Sequence, residues 1–466
     1  MINKKYLAYL SVLLLASSSC SKELEKQPTD TFSDTNAFIT LADVQLGTNG
    51  AYGRYGAYIN TIYTSALASD EAKIGSGNGG QGNLTYRYQY SSDATTGGDV
   101  TAGWGSYYSM IDQINRVLPN VATVTATSSE EPRRTIIKGQ LLALRGIAHF
   151  GLLQMYAKNY SPADPLGVPA LTTSDPLAKP ARNTQGETMA RIDADLADAK
   201  ALLPDVTPAS FSDTVMNKIN IAAYQARVAL HKGDFTGAIA FSTEVINSSV
   251  KPLASRAVFP SIWTDASTAE TLFRIRFATS TALGSLWTTI GGQVYIAPSD
   301  KLVATFTAGD VRGGVYIGTL SPGDNFVNKY TGSSRGGRVV DMKAVRISEM
   351  YLIRAEAYAK QASPNVSLGA ADLNTLRSAR ISGYTNEVFT NSADLVTAIL
   401  QERFKELCFE GFRFFDLKRN NLPVMRLASD ANVNWQTLAV SSPLFVFPIP
   451  ASEILANPKV VQNPGY

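Results

Sequence analysis

Residues Leu400 to Arg419 read LQERFKELCFEGFRFFDLKR, and the fold turns on how this stretch is taken. Phe404, Leu407, Cys408, Gly411, Phe412 and Phe415 recur at steps of three and four, which sets them along one side of a helix and requires that side to be buried. Glu402, Glu406, Glu410 and Arg413 fall on the other flank, where Glu402 is spaced to pair with Lys405 and Glu410 with Arg413. A glycine inside a helix costs about 1 kcal/mol relative to alanine, so Gly411 predicts close packing or a change of helix direction. Three glutamates this close together suit acid/base catalysis. They suit an ion-paired helix locked into a core better, because carboxylates at helical spacing occur in any charged helix.

Outward from this stretch the helical rhythm recurs. Asn220 to His231, the turn Lys232-Gly233-Asp234, and Phe235 to Ile246 form a helical hairpin whose Ala222, Ala226, Ala229 and Ala238 let the two helices approach closely. Val345 to Lys360 and Ala370 to Arg380 make a second hairpin. The pattern is similar to a tetratricopeptide unit, and such pairs bury their faces only by stacking on one another. Further helices are predicted over Ala37 to Tyr55 (Phe38, Leu41, Val44, Leu46, Ala51, Tyr52 and Tyr55 at helical steps), Trp104 to Val121, Arg133 to Tyr156 and Gln185 to Leu203. Pro204 stops the last of these. Between 255 and 341 the character changes: Leu272 to Phe277 alternates like a half-buried strand, and Gly, Pro and aromatic residues then give loops and short strands. The fold class is therefore mainly α, a scaffold of helical hairpins (104–250 and 345–419) carrying an irregular loop and short-strand region.

The spacing ER-x-x-EL-x-FEG-x-R-x-x-DL-x-R, carried by Glu402, Arg403, Glu406, Leu407, Phe409, Glu410, Gly411, Arg413, Asp416, Leu417 and Arg419, resembles the C-terminal signature of the SusD/RagB family. The W-x-x-Y-x-x-I-x-x-x-N pattern from Trp104 to Asn115 and the Pro-rich ending at Tyr466 resemble it too. The resemblance implies a surface lipoprotein that binds an oligosaccharide or similar nutrient. It further implies delivery to a TonB-dependent, SusC-like outer-membrane transporter, with no cofactor. A structural lid that binds only the transporter is the alternative within that frame.

The amino terminus supports an anchored surface protein. Lys4 and Lys5, the apolar run Tyr6 to Ala16 and the small residues Ser17 to Ser19 form a secretory leader, residues 1–19, too short to span a bilayer. Cys20 follows in a context that resembles a lipobox, with Ser17 standing where Leu is usual, so Cys20 is expected to carry the lipid. Residues 20–36 are then a polar tether and 37–466 the folded body. Ser21, Lys22, Glu23 and Glu25 resemble the export stretch of some surface lipoproteins of Bacteroidetes.

Across the 466 residues, 17% are charged and the net charge is +3. That field invites neither nucleic acid nor an anionic membrane. His149 and His231 sit on predicted helices without partners at ligand spacing, so no metal site is expected. No G-x-S-x-G elbow occurs. Two carboxylates from anywhere in the fold would serve glycoside hydrolysis, and that class stays open. The glycine run at Gly75 to Asn83 has the letters of a phosphate loop but no predicted strand before it or helix after it.

A binding surface needs aromatic faces and uncharged hydrogen-bonding groups held on a scaffold. Arg87, Tyr88, Tyr90, Trp104, Trp287, Tyr295 and Asn325 are the candidates. Packing in a core is an equally good use of each aromatic among them, and Trp104 also fits a helix start.

Overall fold

The computed structural model describes residues 37–279, 282–289, 291–321 and 323–466; the leader, Cys20 and the tether lie outside them. The principal helices are α1 (Leu41–Arg54), α2 (Tyr58–Ala68), α3 (Ala94–Val117), α4 (Glu131–Tyr156), α5 (Gln185–Leu202), α6 (Lys218–Lys232), α7 (Phe235–Asn247), α8 (Ile347–Lys360), α9 (Val366–Arg380), α10 (Ser392–Glu406) and α11 (Arg413–Arg419). The short strands β1 (Ala72–Ile74), β2 (Thr271–Ile275), β3 (Ile296–Pro298), β4 (Ile317–Ser321), β5 (Asp324–Val327) and β6 (Met342–Arg346) pair only in antiparallel twos: β1 with β3, β2 with β6 and β4 with β5. The expected mainly α architecture holds.

The helices stack in sequence order. α4 packs on α5, α6 on α7, α7 on α8, and α8 on both α9 and α10, while α1, α2 and α3 close the other side of α4. Several boundaries have a local reason. Thr184 and Asn217 accept from backbone N–H groups of the first turns of α5 and α6, in reciprocal capping boxes. Gly233 ends α6 at φ 76°, the left-handed turn that lets α7 fold back. α4 alone among the described helices is long and apolar enough to cross a membrane, but its apolar window is buried inside this body.

Few charges occur, and many of them lie inside, bolting one helix to the next. Arg145 of α4 grips Asp195 of α5 at 2.7 and 2.8 Å, Arg227 of α6 grips Glu349 of α8 at 2.6 and 2.7 Å, and Arg354 of α8 grips Asp372 of α9 at 2.8 Å. Buried pairs of this kind add little net stability over an apolar contact, yet breaking one leaves an uncompensated charge. They therefore fix which helix sits against which.

The structure corrects several expectations. Residues 400–419 are not one helix: α10 ends at Glu406, Phe409 and Gly411 take φ of 60° and 90°, and α11 starts at Arg413. Gly411 thus marks a change of direction. The helix expected from Trp104 begins ten residues earlier, at Ala94, because Asp93 caps it with its carboxylate on the N–H groups of Thr95 and Thr96. Leu46, one of the apolar residues at helical steps on α1, is 67% exposed. Of the stretch Leu272–Phe277, β2 takes the residues to Ile275, pairing along one edge with β6 and packing on α6; Leu272, Phe273 and Ile275 are buried, Arg274 is half-buried and Arg276 is exposed. Finally, β1 precedes the glycine run and a four-residue helical turn, Asn83–Tyr86, follows it.

Candidate functional site

The glutamates of the quoted stretch are the best place to begin building the site. Glu402, Glu406 and Glu410 are not on a solvated flank but fully buried. Glu402 meets Arg312 at 2.6 Å, Arg377 at 2.8 Å and Lys405 at 3.3 Å. Glu406 lies among Arg346, Arg380 and Arg312 at 2.8 to 3.1 Å. Glu410 pairs with Arg346 at 2.8 Å and Lys329 at 2.7 Å, not with Arg413, whose guanidinium holds Asp70 at 2.6 and 2.9 Å instead. Burial opposes ionisation, but the surrounding cations prevail: Arg312, Lys405 and Arg377 bring the Glu402 carboxyl down to about 2, and Arg380, Arg346 and Arg312 hold Glu406 well below the ordinary range. Carboxylates so held stay ionised and do not exchange protons near neutrality. Arg403 and Arg419 meanwhile share Asp416, which completes the signature set.

The break after α10 has a second use. A helix end leaves carbonyl groups without partners. Here side chains from the irregular region supply them: Arg346 Nη2 and the Tyr316 hydroxyl donate to the Glu406 carbonyl, Lys329 Nζ donates to that of Cys408 at 2.7 Å, and the Tyr330 hydroxyl donates to that of Phe409 at 2.9 Å. The Phe409 ring then meets Trp287 edge-on at 5.2 Å, and Trp287 stacks on Tyr330 at 6.2 Å. The signature stretch is thus the footing for an aromatic layer under the loop-rich region.

That layer corrects the sequence expectation for Trp287, which is wholly buried and packs on Tyr63, Tyr330 and Phe409. Trp104 and Tyr90 are also interior. Trp104 lies edge-on to Tyr156 in the α3–α4 contact, and Tyr90 packs on Phe447 and Tyr466. None of the three offers a face to a ligand in this conformation. Tyr88 is half-buried, its hydroxyl donating to the Ala68 carbonyl and its ring covered by Arg426 at 4.6 Å; Arg87 stacks on Trp435 at 4.7 Å.

The glycine run meets Tyr295 through its backbone carbonyl and meets Asp324, the neighbour of Asn325; neither Tyr295 nor Asn325 lines the adjoining cleft. The Gly75 N–H donates to the Tyr295 carbonyl at 2.9 Å, Asn78 Nδ2 donates to the same oxygen at 2.9 Å, and Ser76 Oγ donates to Asp324 at 2.9 Å. Thr319 Oγ1 donates to Asn325 Oδ1 across the β4–β5 hairpin at 2.8 Å. Beside them opens a cleft of about 230 Å³ lined by Thr288, Thr289, Gly292, Leu320, Phe326, Asn328, Thr331 and Arg338. Phe326 stands directly across from Gly318, and a Cβ at 318 would fall 2.1 Å from its ring. Glycine there lets the ring lie flat on the hairpin as a half-exposed platform. The lining's one charged side chain, Arg338, is turned away to the carbonyls of Gly284 and Thr289. Sequence reading missed Phe326, Leu320 and the threonines; the turn-forming letters S-P-G-D at 321–324, with Gly318 and Phe326 on either side, were the available signal.

No group of three metal-ligating side chains gathers among the described residues. Burial drives the imidazoles of His149 and His231 down to about 3. Cys408 is a buried free thiol raised by burial to about 12, a core residue rather than a nucleophile.

A helical-repeat body footed on a buried charge lattice and bearing a neutral, hydroxyl-rich face describes a binding scaffold. Two family models match it: one described as "Starch-binding associating with outer membrane" over residues 21–230, and one described as the SusD family over residues 323–466. The chain belongs to the SusD/RagB family. It is 26% identical to SusD-like protein P2 of Formosa agariphila, over 99% of this chain and 100% of that one. A SusD superfamily protein of Bacteroides thetaiotaomicron superposes with a TM-score of 0.81 at 25% identity, covering 91% of this chain and 100% of the other. A laminarin-binding SusD-like protein shares the fold with a TM-score of 0.72 at 19% identity, covering 92% of this chain and all of its own.

Proposed function

We propose that this chain is a cell-surface binding protein that captures an oligosaccharide on the face formed by the glycine run, Tyr295 and the β4–β5 hairpin, and performs no catalytic step. One observation carries the reading: a ring platform at Phe326 beside threonine and asparagine groups, in a lining whose one charged side chain, Arg338, is hydrogen-bonded to backbone carbonyls, which is chemistry suited to a neutral sugar ring. The starch-binding, outer-membrane description of the model matching residues 21–230 supports the same ligand class and location. Residues 1–19 then act as leader, Cys20 carries fatty acids, 20–36 form the tether and 37–466 the binding body. Anchoring beside a SusC-like, TonB-dependent transporter makes transfer intramolecular at up to about millimolar effective concentration, so weak affinity is enough.

Calorimetry against a panel of neutral glycans tests the ligand reading. Heat of binding lost at least tenfold in affinity in Phe326→Ala supports it, and a silent panel overturns it. Mass spectrometry of the mature amino terminus tests Cys20, and co-purification of a large β-barrel tests the transporter. The burial of Trp287, Trp104 and Tyr90 favours a second reading, a structural lid. Growth that survives Phe326→Ala on every glycan but fails on deletion of the protein would select the lid.

A further inference from the structure

α10 faces two ways. Its inner side carries Glu402 and Glu406 into the charge lattice, while Thr397, Leu400, Gln401, Phe404 and Lys405 recur at steps of three, four, seven and eight along the outer side. That outer stripe forms one wall of a cleft of about 520 Å³, closed opposite by Lys301, Thr305, Arg413 and Leu422. The cleft lies apart from the Phe326 face and shares no lining residue with it.

Three cations and no carboxylate line this cleft. The acids behind its walls are already committed. Asp70, buried at 1% exposure, serves both Arg413 and Lys301. Glu402 divides itself among Arg312, Arg377 and Lys405, the last at only 3.3 Å. The Arg413 guanidinium lies over the Phe404 ring at 4.3 Å and uses Nε and Nη2 on Asp70. The three cations of the lining thus share two carboxylates, Asp70 and Glu402, behind the walls, next to the hydroxyls of Thr305 and Thr397, the amide of Gln401 and the apolar surface of Leu400 and Leu422.

We infer that this cleft is a second ligand site, for a saccharide bearing an oxyanion, either carboxylate or sulfate. Lys405, Lys301 and Arg413 receive the anionic group, Gln401 and the threonines receive ring hydroxyls, and Leu400 with Leu422 cover the apolar ring face. The inference stands apart from the neutral-glycan reading of the Phe326 face, because the two sites differ in both lining and charge.

Calorimetry on the mature chain tests it with four probes: a uronic-acid disaccharide, the same disaccharide sulfated in place of the carboxylate, its neutral glucose counterpart, and inorganic sulfate. The expected result is binding of at least one acidic disaccharide, at least tenfold tighter than the neutral one and weakening as salt rises. Gln401→Ala, which touches none of the core ion pairs, and Lys405→Ala, which also removes the 3.3 Å contact to Glu402, should each weaken it about fivefold or more, while Phe326→Ala leaves it unchanged. The response to the carboxylated against the sulfated probe says which oxyanion is preferred. No binding of either acidic disaccharide at millimolar concentration, binding untouched by both α10 variants, or inorganic sulfate binding as tightly as the disaccharides would each overturn the proposal. Loss of neutral-glycan binding in Phe326→Ala has no bearing on these outcomes, so the two readings fail separately.

Discussion

Beneath the loop-rich face, Glu402, Glu406 and Glu410 each have fixed cationic partners; on the face, most polar groups are neutral and only lightly tied. Glu406 sits among three arginines with no exposed surface, whereas Thr319 and Asn325 bond each other at the edge of a two-stranded hairpin. Both regions depend on aromatic rings, but Trp287 is wholly buried among the three rings of Tyr63, Tyr330 and Phe409, while Phe326 rests on a glycine and keeps one side open. The difference separates holding from binding: Glu402, Glu406 and Glu410 spend their oxygens on fixed cations, whereas the hydroxyl and amide groups of the hairpin face contribute little to register.

Breaking the lower region should cost most. Glu406→Gln leaves Arg346 and Arg380 short of a buried counter-charge and should lower stability by about 3–5 kcal/mol in denaturant unfolding. Trp287→Ala should cost about 3–5 kcal/mol as well, since a large buried ring is removed. Acid titration sharpens the contrast. The Glu402 carboxyl, at about 2 folded against 4.5 unfolded, contributes stability that is present above about pH 4.5 and is lost as pH falls through about 2. That contribution is on the order of 3 kcal/mol, and Glu402→Gln should flatten the acid limb of the stability curve by that amount. Gly411→Ala puts a side chain at φ 90° against Tyr58 and Ile62 and should cost about 1–3 kcal/mol. Phe326→Ala should cost less than about 1 kcal/mol of stability while removing glycan affinity. An equal stability loss for Phe326→Ala and Trp287→Ala would erase the distinction between the regions.

The helices were legible because their information is local. Periodicity over Gln185 to Leu203 and the alanines around Lys232-Gly233-Asp234 placed α5, α6 and α7 close to their observed bounds. Gly411 announced an interruption, and of its two readings the change of direction is the one observed. The partners of Glu402, Glu406 and Glu410 were illegible for the opposite reason: Arg312, Lys329, Arg346 and Arg380 come from other elements, and no spacing within 400–419 names them. The site residues divide along the same line. An aromatic in a glycine-rich segment suggests exposure, but Trp287 is buried because Tyr63, Tyr330 and Phe409 converge on it from three other parts of the chain. Phe326 carried a weaker local mark, a hairpin turn with a facing glycine.

The break between α10 and α11 also sets an order of assembly. As the polypeptide emerges during synthesis, Arg312, Lys329, Arg346 and Arg380 appear before Glu402, Glu406 and Glu410, and the carbonyls that receive Tyr316, Tyr330 and Lys329 appear with those glutamates. A nascent chain ending near residue 390 therefore has its cations without these counterparts. The β4–β5 hairpin, although translated earlier, gains its foundation only when the last quarter of the polypeptide arrives, and a shortened product that stops before residue 400 lacks the footing under that face.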